Sequence, residues 1–413
     1  MTTITSERFV GREKELDAFR DVLAYDNQHP HVFFLQGPGG IGKTWLLKRC
    51  LEIASADANV VTAQGLVDMY STNNRYVNGV IESIVSQISK NELPKDALEK
   101  YQRAFDLHEI VRSGKLDKLN SELDQIIEEM SLPEQIEYLG SALRDRFQDL
   151  IREICRQKKL VLAFDTFENV QNGPVGKWLL SSDGLQIPGV ICLVASRLHL
   201  EKDALSGTSY LLSYPVNQLS DEEALELYYK YTGSKEPPES RKRYVSVLNK
   251  RANGNPLLLG LATLWLTVSS ENDIKKIEEY TLEEFEEAIV SWLHPLSGKG
   301  SYNLGGADFD EPMRQVLVLM AYLNRRFNRF FLKKLIDERF IRIEGISADN
   351  LWDRLNAQLP EFFFVKDRPE GEIQLHDKLA EMLRRYLFVD AFDDLTGTMQ
   401  RYFADHVIGW YDE

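Results

Sequence analysis

Residues 31–44 read HVFFLQGPGGIGKT and decide the fold class of the N-terminal half. Residues 31–36 form a short apolar run between Pro30 and a glycine cluster, which predicts a buried strand. Residues 37–44 match the phosphate-loop pattern G-x-x-x-x-G-K-[ST] in full, and residues 43–55 are expected to form a helix. Because the loop joins a strand to a helix, backbone N–H groups and the helix N-terminus can converge on phosphate oxygens. The stretch therefore predicts a nucleotide-phosphate site.

Four further apolar segments predict strands, at residues 59–63, 160–164, 190–195 and 211–213. Helical patterns lie between them, and such alternation is typical of a doubly wound parallel sheet. We therefore predict an α/β P-loop NTPase domain over residues 1–217. The second and third strands are too far apart for one crossover helix, which predicts a helical insertion at about residues 91–157. We interpret the insertion as a solvated elaboration without chemistry.

The sheet pattern ends near residue 218. Ser220 and Glu223 have the spacing of a capping box, which predicts a helix start and a helical domain over residues 218–297. A glycine-rich linker at 298–306 opens a third domain, residues 298–390. Its pattern of helices followed by a hairpin is the order of a winged helix. The predicted elements are helices at 311–323, 328–337 and 347–358, strands at 362–365 and 372–375 around a turn at 366–371, and a last helix at 376–387.

Composition excludes several classes of protein. The 49 basic and 64 acidic residues leave a net charge of −15, which argues against a general nucleic-acid binder. The three cysteines, Cys50, Cys155 and Cys192, have no zinc spacing and form no disulfide framework, so we expect a reducing, cytoplasmic compartment. No apolar run is long enough for a membrane span, and we predict no membrane association.

The end of the third predicted strand carries the acids that a phosphate loop needs. Asp165 follows four apolar residues at the end of the third strand, which is the Walker B pattern. We expect Lys43 to reach the β- and γ-phosphates, and Thr44 and Asp165 to bind Mg²⁺. The position after Asp165, where many relatives carry a second acid, is Thr166; the next acid is Glu168, a candidate to orient water. Lys43, Asp165 and Glu168 are thus the candidate catalytic residues.

An arginine follows the fourth strand. Arg197 stands at the same predicted sheet edge as Asp165, where a guanidinium can hydrogen-bond a γ-phosphate in bidentate fashion. Because ADP lacks this phosphate, Arg197 is a candidate for distinguishing the two nucleotides.

These motifs, in this order, resemble the signal-transduction ATPases with numerous domains (STAND), of the NB-ARC and bacterial repeat-sensor type. The sequence at 9–13, FVGRE, resembles the family's entry motif, whose backbone cradles adenine. Residues 254–257, GNPL, resemble the GxP motif of the helical domain, and 375–377, LHD, resemble the motif whose histidine contacts the β-phosphate of ADP. The nucleotide-binding residues so indicated are Phe9, Val10, Gly11, Arg12, Gly37, Gly39, Gly40, Ile41, Gly42, Lys43, Thr44, Trp45, Arg197, Pro256 and His376.

The resemblance implies an ATP/ADP-gated switch with Mg²⁺ that is closed with ADP and self-assembles with ATP. It implies slow hydrolysis, because Thr166 replaces the usual acid, and a repeat-built C-terminal sensor that answers to an inducer. Residues 391–413, with a predicted helix at 396–411, are interpreted as the helical start of that missing region. The alternatives are an AAA-type cycling ATPase and a winged-helix transcription regulator. DNA is an unlikely partner, since the segment 349–359 carries Asp349 and Asp353 and a single arginine, Arg354.

Overall fold

The computed structural model describes residues 9–25, 28–114, 130–200, 210–232, 239–268, 275–291, 303–304, 307–308, 316, 319–321, 327–337, 346–358, 365–368 and 372–387. These residues group into two compact units. The first consists of residues 11–38 and 42–217, and the second consists of residues 9–10, 39–41 and those from 218 onward. The predicted three-domain division stays a prediction.

A parallel sheet forms the centre of the first unit. Its strands are β1 (His31–Gln36), β2 (Val60–Thr62), β3 (Val67–Asp68), β4 (Lys159–Asp165), β5 (Val190–Ser196) and β6 (Tyr210–Pro215). Their order is β2-β4-β5-β1-β6, and β3 also pairs with β4. Because all pairs are parallel, the carboxyl ends of the strands lie at one edge of the sheet. The fold is an α/β P-loop NTPase fold, as predicted.

Among the described residues, six α-helices accompany this sheet: α1 (Glu13–Ala24), α2 (Lys43–Ser55), α3 (Val77–Gln87), α4 (Lys95–Arg112), α5 (Leu132–Cys155) and α6 (Pro174–Leu179). Helix α5 corrects the interpretation of residues 91–157 as a solvated elaboration. Leu143, Phe147 and Ile151, spaced four residues apart, are fully buried in the same core as the strand residues Leu162 and Phe164. This part of the predicted insertion is therefore a crossover helix that covers the sheet, and α4 packs along it.

Two strands differ from their predictions. Strand β3 was not predicted, because Val67 is its one apolar residue and no alternating run surrounds it. Strand β6 extends beyond the predicted 211–213 on both sides and is only partly buried, as an edge strand is.

The second unit is mainly helical. Its helices are α7 (Asp221–Thr232), α8 (Glu239–Arg251), α9 (Pro256–Val268), α10 (Leu282–Ser291), α11 (Arg329–Asp337), α12 (Ala348–Gln358) and α13 (Asp377–Met382), the last continuing as a π-turn at Leu383–Leu387. The predicted capping box is confirmed: Ser220 Oγ accepts the Glu223 N–H at 3.2 Å, and the Glu223 carboxylate accepts the Ser220 N–H at 2.7 Å. One continuous apolar core, which includes Tyr228, Phe285 and Phe327, joins these helices.

The hairpin of the second unit is shifted from its predicted position. Strand β7 (Val365–Arg368) pairs antiparallel with β8 (Glu372–Leu375), so residues 366–368 belong to a strand and not to the predicted turn. Within the predicted linker, Asn303–Leu304 pairs with Ala307–Asp308 as a two-residue ladder. Of the predicted helix 311–323, the described residues 316 and 319–321 are helical. The predictions for residues 362–364 and 391–413 lie outside the described residues.

The described part of the chain contains no helix that is both long and apolar enough to span a membrane.

Candidate phosphate site

The phosphate loop of the first unit encloses the ammonium group of Lys43. Lys43 Nζ donates to the backbone oxygens of Gly37 at 2.6 Å and Pro38 at 2.9 Å, and the side chain is 8% exposed. Gly42 precedes α2 with a φ of 101°, a left-handed conformation that glycine adopts without steric cost. The turn leads directly into α2, whose N-terminus carries the positive end of the helix dipole. A cation and a helix N-terminus thus converge where the motif places phosphate oxygens.

A hydroxyl and a carboxylate lie beside this loop. Thr44 Oγ1 donates to Asp165 Oδ2 at 2.8 Å, and Asp165 Oδ1 accepts the N–H of Thr166 at 2.9 Å. Both are hard oxygen groups, and Mg²⁺ binds such groups one or two at a time together with phosphate oxygens. The residues therefore fit Mg²⁺, which when bound would neutralise phosphate charge. Among the described residues, no group of three or more His, Cys, Asp or Glu side chains could hold a metal ion.

The arginine predicted to contact the γ-phosphate is paired with the acid predicted to orient water. Arg197 Nε lies 3.1 Å from Glu168 Oε1, and the Arg197 N–H donates to Glu168 Oε2 at 3.1 Å. The Glu168 side chain is 15% exposed and that of Arg197 is 44% exposed. In this arrangement Glu168 holds an arginine, and its role towards water stays a prediction.

Asp68 is a further acid at this edge that the sequence interpretation missed. It is 7% exposed and stands opposite Asp165 in the parallel pairing of β3 with β4. Asp68 Oδ1 accepts the Thr166 hydroxyl at 2.8 Å and the Tyr70 N–H at 3.1 Å. Thr166 itself has φ 59° and ψ 37°, a left-handed conformation that is rare for a β-branched residue. The one signal in the sequence was the apolar-then-acidic step from Val67 to Asp68.

The apex of the loop belongs to the second unit. Asn255 Nδ2 donates to the backbone oxygen of Gly39 at 2.9 Å, while Asn255 Oδ1 accepts the Leu257 N–H at the start of α9. Gly40 has a φ of 81°, and a Cβ at this position would lie 2.8 Å from Asn255 Oδ1. Asn255 is therefore the residue of the predicted GxP motif that contacts the loop, and the sequence interpretation had named its neighbour Pro256.

The predicted entry motif is divided between the two units. In the second unit, the backbone oxygen of Phe9 accepts Lys230 Nζ at 2.5 Å. In the first, Arg12 is 6% exposed and its Nη1 donates to the Asn217 backbone oxygen at 2.5 Å. Arg12 thus ties the start of α1 to the end of the sheet domain.

His376 stands at the N-terminus of α13, directly after the hairpin. Its Nδ1 accepts the N–H of Lys378 at 3.3 Å, so the imidazole caps the helix. The predicted site residues are divided between the two units. The first unit contains Lys43, Thr44, Trp45, Asp165, Glu168 and Arg197, and the second contains Val10, Ile41, Pro256 and His376.

Comparisons with known proteins agree with a P-loop ATPase. Residues 8–184 match the family model described as AAA ATPase domain. No curated protein matches the chain. Similar solved structures include the Drosophila ORC bound to DNA, at 13% identity over 95% of this chain and 99% of that chain with a TM-score of 0.41. Cdc6p from Pyrobaculum aerophilum is 12% identical over 94% of this chain and 98% of that chain, with a TM-score of 0.40. The Aeropyrum pernix Orc1 protein in complex with DNA is 15% identical over 93% of this chain and 94% of that chain, with a TM-score of 0.37.

These TM-scores are too low for the likeness to indicate what this chain binds. The match of residues 8–184 to the AAA ATPase domain and the geometry of the phosphate loop together support a P-loop ATPase, and they do not distinguish the STAND class from other ATPases of this fold.

Proposed function

We propose that this chain is an ATP/ADP-gated switch of the STAND class. It binds either nucleotide with Mg²⁺ at the phosphate loop, is closed with ADP, and assembles with copies of itself when ATP is bound. Slow hydrolysis returns it to the ADP state. An inducer acts through a repeat-built sensor that follows the region described.

The observation that carries the proposal is the Glu168–Arg197 pair beside Thr44 and Asp165. A switch needs a contact that one nucleotide makes and the other does not. Arg197 is partly exposed, and an ion pair in that setting contributes about 0–1 kcal/mol. A γ-phosphate carries more negative charge than a single carboxylate and can accept two guanidinium N–H groups, so it can take Arg197 from Glu168. ADP would leave the pair intact.

His376 is proposed as the matching contact for ADP. Because its Nδ1 accepts the Lys378 N–H, the proton of a neutral imidazole resides on Nε2. A donor at Nε2 is what a hydrogen bond to the β-phosphate requires. Inverting a two-state population from 1:99 to 99:1 takes about 5.5 kcal/mol of differential binding, so Arg197 and His376 are both needed.

The family match supports a second candidate, a continuously cycling ATPase of the AAA type. Steady turnover well above about 1 s⁻¹ would favour cycling, whereas a switch hydrolyses more slowly. The expectation that DNA is not a partner stays a prediction, and two of the similar structures are titled as DNA complexes of those proteins. A binding titration with duplex DNA at physiological salt tests it.

The deciding experiment is a measurement of mass by light scattering with ADP, ATP and a non-hydrolysable ATP analogue. The switch predicts a monomer with ADP and the same larger assembly with ATP and the analogue. A Lys43→Ala chain, which should bind neither nucleotide well, controls for assembly that does not depend on the site. Assembly with ATP but not with the analogue would contradict gating by binding and support the cycling ATPase.

A further inference from the structure

We infer that Asp68 is the catalytic carboxylate of this site, and that it orients the attacking water from the neighbouring strand in place of an acid at position 166. The inference rests on the proposed binding of ATP at the phosphate loop and deepens it. It changes the expectation about hydrolysis, because Thr166 then no longer means that the second carboxylate is missing.

The pairing of β3 with β4 places Asp68 at the reacting edge. Asp68 is directly opposite Asp165 in the parallel register, and the Met69 N–H donates to the Asp165 backbone oxygen at 2.9 Å. Asp165 in turn accepts the Thr44 hydroxyl. Neighbouring parallel strands lie about 4.8 Å apart, so the two carboxylates leave the same sheet edge one strand apart. Asp68 is therefore one strand outward from the proposed magnesium ligands.

Thr166 connects Asp68 to the usual position of the acid. Its hydroxyl donates to Asp68 Oδ1 at 2.8 Å from a left-handed backbone conformation, with φ at 59°. A left-handed conformation is strained for a β-branched residue and persists where the surroundings hold it. The bond brings a carboxylate oxygen within hydrogen-bond distance of the side chain that stands where relatives carry an acid.

Glu168, the other candidate, is engaged elsewhere. Both of its carboxylate oxygens contact Arg197, one through Nε and one through the backbone N–H. If the γ-phosphate takes the guanidinium, the bond to the backbone N–H still orients Glu168 towards the strand end of β5. Asp68 Oδ1 instead accepts hydrogen bonds from the Thr166 hydroxyl and the Tyr70 N–H.

The chemical step is an in-line displacement. The water oxygen forms a bond to the γ-phosphorus, and the bond from that phosphorus to the bridging oxygen breaks, with its electron pair going to ADP. One water proton passes to an oxygen of the released phosphate. Asp68 accepts a hydrogen bond from the water throughout and keeps no proton. Orientation of the water by a side chain of this kind is a recurring part of phosphoryl transfer.

The substitution Asp68→Asn separates this role from a structural one. The bonds from Thr166 and Tyr70 fall on Oδ1, and asparagine keeps an Oδ1 acceptor for these two donors. The NH₂ group, however, replaces a carboxylate oxygen and cannot accept a hydrogen bond from water. A purely structural Asp68 therefore predicts unchanged turnover in the variant, whereas a water-orienting Asp68 predicts a loss of about a hundredfold.

The experiment uses the full chain and three measurements: ATP affinity by calorimetry, single-turnover hydrolysis of γ-labelled ATP, and retention of ADP with fluoroaluminate, which mimics the transferring phosphoryl group. For Asp68→Asn we expect ATP affinity within about twofold of the unmodified chain, hydrolysis down about a hundredfold, and a matching loss of the fluoroaluminate complex. The matched control is Asp57→Asn, an exposed aspartate that precedes β2 at the opposite end of the sheet.

The outcomes distinguish a failure of the proposed function from a failure of the role of Asp68. Absence of ATP binding in the unmodified chain would overturn the proposed function. Normal ATP binding with no measurable hydrolysis in the unmodified chain, or full hydrolysis in Asp68→Asn, would overturn the role of Asp68 alone. Loss of turnover in Glu168→Gln with normal turnover in Asp68→Asn would assign the water to Glu168 and likewise overturn it.

Discussion

Glu168 Oε1 lies 3.1 Å from Arg197 Nε, and the second oxygen of the same carboxylate accepts the Arg197 backbone N–H at 3.1 Å. The two residues are 29 positions apart in the chain, one shortly after β4 and the other directly after β5, and they meet at the carboxyl edge of the sheet. The Glu168 carboxylate is thus paired with the guanidinium of Arg197, the group that a γ-phosphate is proposed to bind. The pair makes the state of Arg197 depend on which nucleotide is present.

Arg197→Ala should lower the affinity for ATP about tenfold and leave ADP within about twofold, because only ATP has the phosphate that Arg197 is proposed to contact. Calorimetric titration of both nucleotides measures the difference. Arg146→Ala, which removes an exposed arginine paired with Asp149, is the matched control. Equal losses for ATP and ADP would show that Arg197 supports the fold instead of reading the nucleotide. ATP-dependent assembly should be suppressed in Arg197→Ala and retained in the control.

Lys43→Ala should lower the affinity for both ATP and ADP by about ten- to a hundredfold, since it removes a charge-assisted contact worth roughly 1.5–3 kcal/mol. The ammonium already lies inside the loop, on the oxygens of Gly37 and Pro38, so its loss also removes bonds that hold the loop. Calorimetry measures the affinities, and thermal unfolding without nucleotide measures the loop contribution. Lys177→Ala, an exposed lysine on α6, is the control. Unchanged affinities would remove the phosphate site from the proposal.

His376→Ala should lower the affinity for ADP about tenfold and the affinity for ATP less, because the imidazole is proposed to donate to the β-phosphate of ADP in the closed state. It should also increase the radius of gyration of the ADP form in solution scattering. The companion variant His376→Asn keeps a side-chain acceptor for the Lys378 N–H and so preserves the helix cap. We expect both variants to lose ADP affinity. Full ADP affinity in His376→Asn would mean that His376 only caps α13.

His108 should make the chain less stable as the pH falls through the weakly acidic range. Burial is the main cause that lowers its pKa below the ordinary value of about 6.5; nearby Glu109 acts in the opposite direction, and Arg112 and Arg144 reinforce the shift. Below that ordinary value the unfolded chain binds more protons at this position than the folded chain does. The free energy of unfolding therefore falls as pH drops from about 6.5 through the lowered pKa.

Denaturant unfolding at several pH values tests this dependence against the variant His108→Asn, which cannot be charged. The slope of stability with pH should be steeper in the unmodified chain over this window. Identical slopes would show that burial does not keep the His108 imidazole neutral in this pH range.

The phosphate loop could be predicted from the sequence because its determinants are contiguous. A strand, a glycine loop and the start of a helix follow each other within residues 31–44, and glycine supplies the positive φ at Gly40 and Gly42 by its own local chemistry. The strand that ends in Asp165 was predictable for the same reason, since four apolar residues before an acid are a local pattern. The parallel sheet followed from the alternation of strands and helices.

Only the tertiary structure decided what surrounds that loop. Asp68 and Thr166 are 98 residues apart, and they meet because β3 pairs with β4. A strand of two residues has too short a pattern to predict this pairing from the sequence. The Asn255–Gly39 bond spans 216 residues and depends on the packing of the second unit. Local sequence determines which backbone conformation a short stretch adopts; which carboxylates share an edge is determined by strand pairing between distant segments, where the burial of α5 and of the sheet core supplies the free energy.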